Sequence, residues 1–151
     1  MPPAIPGTPE ERAALAAAWS AHPGMRHLGA RADFSDPERV RVVLDPVRPE
    51  HRGGMGTTAV NGAVIASLFD AAIGMVGHFQ LPGRRAGTAQ LHIHFLRPVH
   101  GDRVEVAAYL ARAGANLVFA WAEITDPEGR VCARADGIVA ASGSAADDRS
   151  L

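Results

Sequence analysis

The chain has 151 residues, of which 47% are hydrophobic and 21% charged, and a formal net charge of -1. This length suits one domain with a real core, and the near-neutral balance excludes a nucleic-acid binder held by overall electrostatics. A single cysteine, Cys132, excludes an internal disulfide and is compatible with a reducing compartment.

The start, Met1-Pro2-Pro3-Ala4-Ile5-Pro6, has neither the basic segment nor the apolar run of a secretory signal. Residues 1–7 read as a flexible lead. Thr8 then suits a helix N-cap, Pro9 the first helical position, and Glu10 and Glu11 the positive end of the helix dipole. The Ala-rich run through Trp19 continues that helix, and His22-Pro23-Gly24 predicts its stop. Residues 28–34 and 39–44 predict two strands, and the turn Ser35-Asp36-Pro37-Glu38 between them predicts a hairpin.

Residues 45–58 are rich in Pro and Gly and read as a loop. A long helix follows, starting near Thr57 or Thr58 and fraying near Phe79. Its stretch 61–76 is apolar on nearly every side, which predicts a buried helix. Ser67 and Asp70 interrupt the run, and it falls short of the roughly 20 residues of a membrane span. The expectation is a soluble, cytoplasmic protein with no membrane partner.

The second half has a strand pattern throughout. Thr88, Gln90, His92 and His94 alternate with apolar residues, which predicts that these four share one polar face. Further strands are predicted over 104–112, 117–125 and 131–141, joined by turns at 100–102, 113–116 and 126–129. Residues 142–151 are small, polar and charged and read as a disordered tail. Helix, two strands, a long helix and four strands define an α+β domain over residues 8–141, with a curved sheet needed to wrap the central helix.

Asp70 is the residue that calls for chemistry. A carboxylate in an apolar helix needs a partner or a task, because burying it unpaired is costly. It can close an internal hydrogen-bond network, or it can act on a substrate. Ser67 and Gly74 lie at helical spacing from it and share its face. Ser67 can orient a carboxylate or water, although a helical Ser more often bonds its own backbone. Gly74 makes room for packing or for a ligand.

The motifs in this order resemble those of the hotdog-fold thioesterases, in particular the PaaI-like acyl-CoA thioesterases of the phenylacetate pathway. The resemblance covers roughly residues 51–141. Asn61-Gly62-Ala63 stands where the family has His-Gly-Gly, Asp70 falls at the family's catalytic Asp, and 95–98 with Gly101-Asp102 matches its Phe-Leu-Arg-Pro turn and trailing Gly-Asp. The hairpin at 126–133 matches its Asp-x-x-Gly-x-x-x-Ala close. The chain departs from the pattern at Asn61, in place of His, and at Ala63, in place of Gly.

The resemblance implies hydrolysis of an acyl-CoA or aryl-CoA thioester without metal or organic cofactor. Asp70 is the implied general base or nucleophile, and the helix N-terminus at Gly62 the implied oxyanion donor, with Asn61 beside it. It also implies that Asp70 faces the helix end of a neighbouring subunit. Asp70 lies about 13 Å along its own helix from Asn61, too far for one reacting centre. A homodimer, assembling further to a homotetramer, is therefore expected. Ala63, Ser67, Gly74, Thr88, Gln90, His51 and Arg97 are candidate substrate contacts. Arg84, Arg85 and Arg112 join Arg97 as candidates for the coenzyme A phosphates, which suit guanidinium groups.

Other readings are open. His92 and His94 can ligate a metal, but without a third ligand at a persuasive spacing an exposed or subunit-facing polar face is preferred. Cys132 has no base partner in the sequence and reads as packing. An acyl-CoA-binding protein with poor turnover is the alternative within the fold. A hotdog hydratase, with His78 near Asp70, is a further one.

Overall fold

The computed structural model describes residues 3–53 and 58–143. The tail expected to be disordered lies outside the described residues from position 144 on, as do residues 54–57 of the Gly-rich loop.

Helix α1 spans Pro9–Ser20. Thr8 caps it as the sequence predicts, and the Glu11 carboxylate returns to the Thr8 amide at 2.7 Å, closing a capping box. The start of the chain is less free than its composition suggests: Ala4 and Ile5 are buried, and the Ile5 amide donates to Pro37. His22-Pro23-Gly24 does stop α1, but it also starts a second helix, α2, over Pro23–Leu28. His22 is its N-cap, with Nδ1 accepting from the Gly24 amide, and Gly29 ends it with φ of 76°. The first strand consequently begins later than expected, β1 spanning Ala30–Asp33 and pairing antiparallel with β2 at Val40–Leu44.

Helix α3 spans Gly62–Gln80, and the four strands of the second half are β3 (Arg85–Phe95), β4 (Val104–Ala113), β5 (Leu117–Thr125) and β6 (Val131–Ser142). They join the first two in one curved antiparallel sheet of order β1-β2-β4-β5-β6-β3, which leaves β1 and β3 at the edges. The sheet wraps α3 as the α+β reading requires: Leu68, Phe69, Ile73, Met75 and Val76 of the helix are fully buried against Val42, Val106, Val118, Ala122 and Val139. This architecture is the hotdog fold.

Two glycines let the helix approach closely. A Cβ on Gly77 would lie 2.4 Å from the Val139 side chain, and one on Gly137 of β6 would lie 2.7 Å from Ile73 Cγ2. The loop into α3 is held by Arg52, whose Nη2 donates to Gly101 O at 2.9 Å and meets Asp102 Oδ1 at 2.8 Å. The Gly-Asp of the family-like turn thus anchors the approach to the central helix.

The expectation that α3 is buried on all sides is overturned. By length and composition it could cross a membrane, yet it is sided: Gly62, Ala63, Ser67, Asp70 and His78 are exposed in the protomer. The open face is built largely of Gly, Ala and Ser, whose weak hydropathy contrast hides it in the sequence.

Candidate active site

Asp70 sits midway along the open face of α3, at the wall of a cavity of about 470 Å³. Helix α3 contributes Ser67, Asp70, Gly74, Met75 and His78 to that cavity. Trp19 of α1 and Met25 and Leu28 of α2 cover it from the side, and Ala86, Gly87 and Thr88 of β3 close another edge. Trp19 meets His78 edge-on, ring centroids 5.3 Å apart. The result is a mostly apolar hollow with one carboxylate. Asp70 has no ion-pair or hydrogen-bond partner among the described residues, so it closes no internal network; its expected burial is also not found, because it is exposed in the protomer.

The residues around it divide sharply. Ser67 Oγ donates to Ala63 O at 2.9 Å, the back-bond of a helical serine. Gly74 is open towards the cavity, since a Cβ there would meet only Thr88 Oγ1, at 3.7 Å. Thr88 shares the cavity with Asp70, whereas Gln90 does not. A β-bulge between Thr88 and Gln90 inserts Ala89, so Thr88 pairs with Val139 and Gln90 with Ile138. The extra residue turns the pleat over. Thr88 therefore faces the helix, while Gln90, His92 and His94 face the outer side of the sheet; the predicted four-residue polar face does not exist.

At the other end of α3, Asn61 is the N-cap: its Oδ1 accepts from the Ala63 amide at 2.8 Å and its Nδ2 donates to Gly53 O at 2.8 Å. Gly62 occupies the first turn, where backbone amides have no intrahelical acceptor. A side chain at Gly62 would come 3.6 Å from the Phe95 ring. Gly62 lines a different hollow, of about 240 Å³, with Ile65, Phe95, Leu96 and Arg97. Phe95 and Leu96 are more than half exposed there. One protomer thus keeps the carboxylate and the free helix end apart.

Three further candidates have structural tasks. His51, a candidate substrate contact, is buried; Nδ1 accepts from the Arg48 amide at 2.9 Å, and Nε2 bonds Leu28 O at 2.9 Å. With the amide fixing Nδ1 as acceptor, Nε2–H is the donor and the ring is neutral. His51 therefore ties the loop to the end of α2 and lies outside the Asp70 cavity. Arg97 Nη1 donates to Val131 O at 2.8 Å, and Arg84 Nη1 to Ala115 O and Asn116 Oδ1. Cys132 is buried, and burial pushes its thiol up from the ordinary range, in keeping with a packing residue.

Helix α2 and the Trp19 wall are what sequence reasoning missed. The available signal was Pro23 directly after a potential cap, which starts helices as readily as it stops them.

Comparison with known proteins accords with this fold. The sequence model of the thioesterase superfamily matches residues 58–133, just over half the chain and spanning both Gly62 and Asp70. The chain belongs to the thioesterase superfamily. Its fold is similar to that of a thioesterase from Haemophilus influenzae, with a TM-score of 0.79 at 18% identity over 99% of each chain. It is likewise similar to the E. coli PaaI protein from the phenylacetic acid degradation operon, with a TM-score of 0.74 at 21% identity over 91% of this chain and 98% of that one. The BH2602 protein from Bacillus halodurans, solved with CoA, matches with a TM-score of 0.67 at 25% identity over 80% of this chain and 77% of that one. No match is found among the curated proteins.

Proposed function

We propose that this protein hydrolyses an acyl-CoA or aryl-CoA thioester to the free acid and coenzyme A. The observation that carries the reading is Asp70, an unpartnered carboxylate facing an apolar-walled cavity that can take an acyl group. In a family of thioesterases, such a group either deprotonates a water molecule that attacks the thioester carbonyl or attacks that carbonyl itself. Both routes require it to be free. The oxyanion then needs a donor, and the Gly62 amide at the α3 N-terminus is suited to it: unpaired within the helix, at the positive end of the dipole, with no Cβ in the way.

In one protomer these two groups line different hollows. The proposed site therefore combines Asp70 of one copy with the Gly62 helix end of a second, and the working unit is a homodimer, with a tetramer as its further assembly. BH2602 was solved with CoA, which supports coenzyme A as the leaving group here.

A second reading is kept on one observation. Both ends of the Asn61 carboxamide are engaged, in the cap and with Gly53, so the place of the family-like His holds a structural residue. A protein that binds acyl-CoA and turns it over poorly would tolerate that.

The test is thiol release from a panel of acyl- and aryl-CoA thioesters, run on a preparation sized by light scattering, with Asp70→Asn alongside. The expected result is turnover by a dimer or larger assembly, reduced about 10²- to 10⁴-fold by the substitution. Wild-type rates in Asp70→Asn would remove the proposed mechanism, and an active monomer would remove the shared site. Silence across the panel with coenzyme A still binding in calorimetry would favour the binding protein.

A further inference from the structure

On the far side of the sheet from the Asp70 cavity, His92 and His94 stand two apart on the edge strand β3, both exposed. Their rings meet at 66° with centroids 4.7 Å apart, and their Nε2 atoms are 3.3 Å from each other. Two imidazoles on one strand face can point anywhere; here both present the same nitrogen to one spot. That contact is an N–H···N hydrogen bond, one ring donating and the other accepting. The same separation has a second meaning. With Zn–N bonds of about 2.0–2.1 Å, the edge of a tetrahedral ligand set is about 3.3–3.4 Å. A square-planar centre would bring neighbouring nitrogens closer, to about 2.8–3.0 Å at the same bond lengths.

The surroundings suit a cation. Asp136 of β6 lies directly across from His92 in the register, and both line an outer hollow of about 240 Å³ together with Gln90. Asp136 has no ion-pair partner among the described residues. Arg134, across from His94, has its Nη2 3.7 Å from Glu123 Oε2 on the next strand. The charged groups across from the pair are therefore one carboxylate and one guanidinium, the latter already matched by Glu123.

We propose that His92 and His94 form a chelating pair for a tetrahedral divalent transition-metal ion of the Zn²⁺ type on the outer face of β3. Two protein nitrogens occupy two positions and water takes the others; among the described residues no cluster of three His, Cys, Asp or Glu side chains is present to close the site. Ligation through both Nε2 atoms requires each ring to carry its proton on Nδ1, so binding replaces the ring-to-ring hydrogen bond.

Cobalt(II) is the probe, because tetrahedral Co²⁺ absorbs visibly and far more strongly than octahedral Co²⁺. The full chain without a histidine tag is titrated with Co²⁺ and then with Zn²⁺. The expected result is a tetrahedral spectrum saturating at one ion per chain and bleached by Zn²⁺. His92→Ala and His94→Ala should each weaken binding roughly 10²-fold, as loss of one of two linked donors does. Both side chains are exposed, so folding is not at stake, and circular dichroism checks it. His100→Ala, an exposed histidine elsewhere, should leave the titration unchanged. An octahedral spectrum, no saturable binding, or binding untouched by both substitutions would overturn the proposal.

Discussion

Gly74 and Gly77 stand one turn apart on α3 under opposite constraints. At Gly77 the helix lies so close to β6 that a methyl group would sit 2.4 Å from Val139; at Gly74 the same methyl would find only Thr88 Oγ1, at 3.7 Å. A glycine in a helix interior costs roughly 1 kcal/mol relative to alanine. Gly77 offsets that cost with close helix–sheet packing, and Gly74 offsets it with nothing in the fold. What Gly74 does instead is leave space beside Asp70. One helix thus carries a face shaped by packing and a face shaped by an opening.

Substitution at each position should give opposite signs. Gly77→Ala forces Val139 or the helix to move, and overpacking of this kind costs about 1–3 kcal/mol. Against a helix-propensity gain of roughly 1 kcal/mol, the net effect should still be a loss, read as a lower midpoint in thermal or urea unfolding. A stabilised Gly77→Ala variant would show that the contact is slack. Gly74→Ala meets no such contact, so propensity should win and stability should rise by up to about 1 kcal/mol, a gain of roughly 2–4 °C for a chain of this size. Its methyl projects into the proposed acyl cavity, so KM for a thioester substrate should rise while the protein becomes more stable. A destabilised variant with unchanged kinetics would mean that Gly74 belongs to the packed face.

These two glycines also show where the sequence is legible. Period-two alternation and short turns place all six strands, and Thr8 marks the start of α1, because those signals are local; α3 starts later than the expected Thr57 or Thr58, at Gly62, because Asn61 takes the N-cap. The identity of Asp70 as the odd residue in an apolar helix was equally plain. Its exposure was not, since Gly62, Ala63 and Gly74 count as apolar wherever they point. Nothing in the local pattern separates Gly74 from Gly77; the difference is made by Val139, more than sixty positions away. The bulge at Ala89 carries no signal either, yet it decides that Thr88 and not Gln90 reaches the cavity. The engagement of His51 by Leu28 and Arg48 likewise depends on α2, whose start coincides with the end of α1.

Ser67 tests the open face most gently. Its hydroxyl is one turn from Asp70, in the same cavity, but its hydrogen goes to Ala63 O. A back-bond of this kind contributes little to a helix and competes with straight propagation, while alanine is the better helix former. Ser67→Ala should therefore shift stability by no more than about 0.5 kcal/mol, upward if at all. Turnover should stay within a factor of two or so of wild type, because 1.4 kcal/mol is needed for a tenfold change and the ground-state hydroxyl is turned away from Asp70. A drop of tenfold or more in kcat with KM preserved would mean that the hydroxyl leaves Ala63 during the reaction and serves the carboxylate or its water. That outcome would move Ser67 into the chemistry, and would make the open face of α3 a two-residue device instead of one carboxylate with room around it.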